Sequence, residues 1–123
     1  MKNSTKTFKY VDYLWDQEKA DALGDDQVAL FLYRSNILGA DLRITNYGGG
    51  NTSCKTIEKD PLTNEDVEVM WVKGSGGDIG TLNRAGIAGL YTSRLRDLKN
   101  VYQGLHDEDR MVGLFNHCIY DLD

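Results

Sequence analysis

Glycine placement constrains this chain more than any other feature. Of its 13 glycines, three stand together in Tyr47-Gly48-Gly49-Gly50-Asn51-Thr52-Ser53 and four in Lys73-Gly74-Ser75-Gly76-Gly77-Asp78-Ile79-Gly80. The first cluster leads into a segment of strand character; the second leaves one and enters a predicted helix. Glycine there permits sharp turns and lets backbone N–H groups approach a ligand without Cβ interference. A helix start beyond the second loop would add partial positive charge. Asn51, Thr52, Ser53 and Ser75 offer side-chain donors suited to phosphate oxygens, and Lys73 offers a full charge. One glycine run alone is most simply a tight turn or bulge. Two runs joined by one hairpin can lie side by side, and that pairing points to an anion cradle.

The nucleotide-binding alternatives fail on spacing. Counting from Gly74 and Gly76, a G-x-G-x-x-G fingerprint requires glycine at position 79, where the chain has Ile79. The strand before the loop belongs to a hairpin, whereas a dinucleotide unit opens with a parallel βαβ. No Gly-Lys-Ser/Thr triplet closes a Walker A loop.

Around the loops, apolar periodicity predicts helices and a hairpin. Val11, Leu14, Trp15 and Ala22 fit one helical face ending near Gly24. Asp25 or Asp26 caps a second helix with Val28, Phe31, Leu32, Ser35 and Leu38 in its stripe and Gly39 as its C-terminal cap. Asn51 to Ile57 and Val67 to Val72 read as strands about the Asp60-Pro61-Leu62-Thr63-Asn64 turn. Thr81 caps a third helix burying Ile87, Leu90, Tyr91, Leu95, Leu98 and Tyr102. A shorter helix follows Asp107, with Met111, Val112, Leu114, Phe115 and Cys118 as its apolar residues. The sequence closes on Cys118-Ile119-Tyr120-Asp121-Leu122-Asp123 without a polar tail, which predicts a chain cut from a longer protein.

Composition narrows the function. Net charge is −5 with dispersed basic residues, which argues against nucleic acid as the partner. No apolar run approaches a membrane span, and no secretory signal follows the first residues, so a cytoplasmic protein is expected. Cys54 and Cys118 share no metal-like spacing and read as buried reduced thiols. His106 and His117 are the only histidines, too few for a zinc site, so no metal ligand and no catalytic residue is assigned. His106 reads as solvated and His117 as a packed or hydrogen-bonded structural residue. Asp107, Glu108 and Asp109 read as an exposed helix start.

The combination resembles a known family. Tyr33-Arg34-Ser35-Asn36-Ile37-Leu38-Gly39-Ala40-Asp41, Thr45 through Ser53, Asp60-Pro61-Leu62-Thr63, Val67 through Thr81 and Glu108 through Cys118 are similar to the opening half of the class II aldolase/adducin family. Within it the likeness is nearest to bifunctional proteins joining a rhamnulose-1-phosphate aldolase to a short-chain dehydrogenase. The resemblance implies an α/β class with a layered α/β/α fold around a largely antiparallel sheet, incomplete here, with residues 1–123 as the N-terminal portion of one domain. It implies cleavage of a ketose 1-phosphate to dihydroxyacetone phosphate and L-lactaldehyde. Carried over by motif, the substrate phosphate falls to Gly50 and Asn51 in the first loop and Ser75 and Gly76 in the second. Gly48 stands where some members have threonine, which removes one hydroxyl contact.

The same resemblance places the zinc ligands, the catalytic carboxylate and a third phosphate loop in later segments, so zinc belongs to the full-length parent. The expected partners are a small sugar phosphate and further copies of the chain, since a half domain leaves sheet edges and apolar surface open. The fragment alone is expected to be inactive. A non-catalytic adducin-type interaction module is the rival reading, separated by a His-x-His pair after Asp123. A dehydrogenase activity would require a G-x-x-x-G-x-G loop further downstream.

Overall fold

The computed structural model describes residues 7–46 and 48–122. Packing divides the chain into two units: one holds the residues up to Thr52 together with Lys73–Gly86, the other Ser53–Val72 with the residues from Ile87 onward.

The first unit is helical with looped connections. Helix α1 spans Gln17–Ala22, and the Asp16 carboxylate caps it by accepting from the Glu18 N–H. It is shorter than the apolar pattern predicts. Asp16 sets the start by its cap, so Val11, Leu14 and Trp15 precede the helix; Trp15 packs on the Tyr33 ring at 5.0 Å. Helix α2 spans Gln27–Gly39, capped by Asp26, whose carboxylate accepts from Ala29 N–H and, through both oxygens, from Arg84 Nη2. Its buried residues are Val28, Phe31, Ser35 and Gly39, whereas Leu38 is exposed.

Gly39 is not the left-handed cap that its place near the helix end suggests. It is the last helical residue, and Ala40 forms the C-cap in right-handed geometry. The reason for glycine is space: a Cβ there would lie 2.2 Å from the Gly80 backbone nitrogen and 2.7 Å from Ile79 Cγ1. Two 3-10 turns, Ile79–Thr81 and Arg84–Gly86, follow the second glycine loop where a long helix was expected.

The second unit holds a four-stranded sheet in the order β1-β2-β3-β4. Strand β1 (Ser53–Lys59) pairs antiparallel with β2 (Asp66–Lys73), Thr56 opposite Val69. Strand β3 (Ile87–Tyr91) pairs antiparallel with β4 (Ile119–Leu122), with a register shift between Gly89 and Leu90. Helix α3 covers Thr92–Val101 and α4 covers Glu108–Leu114.

Residues 87–91 were expected to be helical and are a strand. Gly86 and Gly89 weaken any helix through them, and Ile87, Leu90 and Tyr91 are all buried. Gly89 lies under the Trp71 ring, where a Cβ would stand 2.9 Å from Cζ3. Trp71 donates its indole N–H to Thr56 Oγ1 at 2.9 Å and meets Tyr120 edge-on at 6.0 Å, while Tyr91 meets the same ring at 5.3 Å. Helix α4 buries none of its residues: Val112 is exposed, as is Phe115 just beyond its end, and Cys118 further on is buried. Asp107 is buried rather than solvated, because Arg110 and the Gln103 N–H hold its carboxylate. His117 is exposed, and its main-chain oxygen accepts from Arg94.

The hairpin turn is organised by Asp60. One carboxylate oxygen accepts from the Leu62 and Thr63 N–H groups, and the other accepts the Tyr91 hydroxyl at 2.9 Å. The Thr63 and Leu62 amides, followed by Tyr91, hold this carboxyl below the usual aspartate value of 3.8.

Two expectations follow from this packing. Gly39→Ala should destabilise by about 2 kcal/mol, because backbone overpacking outweighs the helix-propensity gain. Gly113→Ala, in α4 with nothing within 4 Å of a new Cβ, should instead stabilise by roughly 0.5–1 kcal/mol. Urea unfolding of both variants checks the opposite signs. Asp60 contributes stability that is complete above its unfolded value and lost as pH falls through its lower folded value. Asp60→Asn should therefore flatten the acid limb of a melting-temperature profile, whereas a limb parallel to wild type would contradict the assignment.

Candidate functional site

Both glycine loops fall in the first unit, and the backbone brings them together. Lys73 N–H donates to Thr52 O at 3.1 Å, which joins the end of the first loop to the start of the second. Gly50, at φ +93°, lies against Ile79: a Cβ there would sit 2.8 Å from Ile79 Cγ2. Ile79 is therefore wedged between Gly39 on α2 and Gly50 in the first loop, and it is 5% exposed. The residue that breaks the dinucleotide spacing is the packing centre of the loops.

Asn51 and Ser75 are exposed, Gly50 is exposed, and Gly76 is exposed at φ +87° with open space around it. Positive φ at both glycines is the left-handed region, where L side chains are strained. These four residues thus lie on two adjoining loops, with the side chains of Asn51 and Ser75 available at the surface.

Other expected donors are spent internally. Ser35 Oγ, fully buried in α2, donates its hydrogen to Phe31 O at 2.8 Å. It can then only accept from Thr52 Oγ1, 2.9 Å away, so Thr52 donates inward. Gly74 N–H donates to Gly86 O at 2.8 Å, and Gly80 N–H donates to the Asp78 carboxylate. Asp78 thus occupies the start of the three-residue turn that follows, and the helix-dipole contribution expected there is not formed. In the second loop the Lys73, Gly74 and Gly80 N–H groups are thus committed to the protein itself. Lys73 Nζ donates to Gly74 O at 3.0 Å, which folds the cation back over its own loop.

Sequence patterns did not single out the supports of these loops. Asn36, on α2 beside Ser35, donates from Nδ2 to both Ile79 O and Leu82 O at 3.0 Å. A serine inside an apolar helical stripe was the available signal for Ser35; a polar residue beside it was the only one for Asn36.

Among the described residues, no group of three or more His, Cys, Asp or Glu side chains could hold a metal ion. The described residues therefore offer no zinc centre. Cys118 is a buried thiol whose burial pushes its ionisation up, which makes it unreactive. Among the described residues no helix is long and apolar enough to cross a membrane.

Comparison with known proteins gives the fold its context. No protein-family model matches the chain. It is 40% identical over 111 residues to the uncharacterized oxidoreductase YuxG of Bacillus subtilis (strain 168), covering 90% of this chain and 16% of that protein. In structure it is similar to the N-terminal class II aldolase domain of a conserved protein from Thermoplasma acidophilum, with a TM-score of 0.60 and 25% identity. That match covers 98% of this chain and 49% of the other. The chain thus spans about half of the aldolase domain it matches and a smaller part of the oxidoreductase. With its antiparallel four-stranded sheet and flanking helices, the chain resembles the class II aldolase family and carries that fold over nearly its whole length.

Proposed function

We propose that this chain is the phosphate-holding portion of a zinc-dependent aldolase that cleaves a ketose 1-phosphate. Rhamnulose 1-phosphate is the proposed substrate, giving dihydroxyacetone phosphate and L-lactaldehyde. The observation that carries this reading is the joining of the two glycine loops through Lys73 and Thr52 within one unit, so that Gly50-Asn51 and Ser75-Gly76 lie on adjoining loops. Backbone N–H groups at left-handed glycines and the Asn51 and Ser75 side chains are neutral donors, and hydrogen bonds from such groups to a charged phosphate contribute about 1.5–3 kcal/mol each. Lys73 balances the Asp78 carboxylate within the second loop.

The metal of such an aldolase would be held by protein outside these residues, where it would act as a Lewis acid on the substrate. The role proposed for this chain is limited to binding and orienting the phosphate. Holding that end fixes the reacting carbons at a set distance, so lost phosphate contacts should raise KM before they lower turnover.

The oxidoreductase relative supports a bifunctional parent, in which a dehydrogenase domain is joined to the aldolase domain. Self-association is also part of the proposal: Val101, Tyr102, Leu105, Val112 and Phe115 are exposed apolar residues of the second unit and suit burial against further protein. Cytoplasmic residence accords with Cys118 as a thiol.

The test is to assay the full-length protein carrying this chain for dihydroxyacetone phosphate and lactaldehyde, then repeat with Asn51→Ala and Ser75→Ala. Each variant should raise KM roughly tenfold through one lost charge-assisted hydrogen bond. Wild-type KM values in both would remove the phosphate assignment, and no release of dihydroxyacetone phosphate would remove the aldolase reading.

A further inference from the structure

We infer that Ser35 and Asn36, adjacent on α2, are positioning residues that set the spacing of the two phosphate loops. The inference rests on the phosphate reading above and adds to it the device that holds the loops in register.

Each residue grips one loop. Ser35 is fully buried, and its hydroxyl hydrogen is committed to Phe31 O, so the Thr52 hydroxyl must donate to it. That bond anchors the residue directly after Asn51. Asn36 spends both Nδ2 hydrogens on the carbonyls of Ile79 and Leu82. Two carbonyl acceptors require the amide nitrogen there, so the orientation of this side chain is settled by chemistry. Those bonds anchor the turn that follows Ser75-Gly76-Gly77. One helical segment, stiffened by its own hydrogen bonds, therefore reaches both loops through consecutive residues.

The contacts differ from ordinary packing in what they would do when lost. Ile79, Gly39 and Gly80 fill space, and they fix how closely the backbones approach. The Ser35 and Asn36 bonds are directional, so they fix the loops laterally and in rotation. An anion shared between donors on two loops depends on that register, because misplacement by a fraction of an ångström lengthens bonds on one side. Neither residue needs to touch the ligand.

The experiment is a titration of the 15N-labelled chain with inorganic phosphate, following the backbone amide signals of Asn51 and Ser75, together with thermal melts. Thr52→Val keeps the volume and removes the donor to Ser35; Thr52→Ser keeps the donor; Asn36→Ala removes both bonds to the turn. Loss of register should weaken phosphate binding roughly tenfold in Thr52→Val and in Asn36→Ala, with Thr52→Ser close to wild type. A structural role alone would lower the melting temperature and leave the affinity of the folded protein unchanged, and that result overturns the inference. If Asn36→Ala does not fold, the Thr52 pair decides: equal affinity in Thr52→Val and Thr52→Ser overturns the inference. If phosphate moves neither amide in the wild-type chain, the phosphate reading and the positioning role fall together. Binding in wild type with unaltered binding in the variants removes only the positioning role.

Discussion

The first unit depends on a close approach of backbone to backbone. Helix α2 ends on Gly39, and the turn beginning at Ile79 presents Gly80 against it, so near that no Cβ fits between them. The side chain of Ile79 fills the space that remains, between Gly39 and Gly50. Because protein interiors are close-packed, a methyl group added at this point has nowhere to go. The first glycine loop, the second loop and the end of α2 are held in one arrangement by a buried isoleucine and three glycines. The hydrogen bonds of Ser35 and Asn36 then add direction to that contact.

This constraint separates glycines that serve the fold from glycines that can serve a ligand. Gly39 and Gly80 are spent on the approach of backbones. Gly76 has open space and a left-handed φ, so its role is to turn the chain and expose N–H groups. Gly50 does both, since it is left-handed and also lies on Ile79. The proposed anion cradle contains one cation, Lys73, and one carboxylate, Asp78, which is held by Gly80 N–H, so it suits a single small phosphate rather than an extended polyanion.

Much of this was legible in the residues. The hairpin about Asp60 follows from turn chemistry and alternation, and α2 follows from the Asp26 cap and a stripe of period 3.6. The two loops were marked by glycine alone. The third helix was misread over residues 87–91, because Ile87, Leu90 and Tyr91 also fit a helical face. What makes them a strand is the distant Trp71, whose ring requires a residue without Cβ at Gly89. Local periodicity carries no information about such a partner. Gly39 was misjudged for the same reason: its position beside a helix end suggested a cap, and its true partner is 41 residues away at Gly80. The expected helix dipole at the second loop failed because Asp78 caps a three-residue turn with its own carboxylate. Thr52 shows the limit for hydroxyls, since only its packed neighbour Ser35 reveals that it points inward.

The central claim is that both glycine loops hold one phosphate group. A crystal structure of the chain with dihydroxyacetone phosphate tests it most directly. The account predicts the phosphate within hydrogen-bond reach of both Asn51 and the Ser75–Gly76 backbone. A phosphate bound elsewhere, or one touching a single loop, would contradict it.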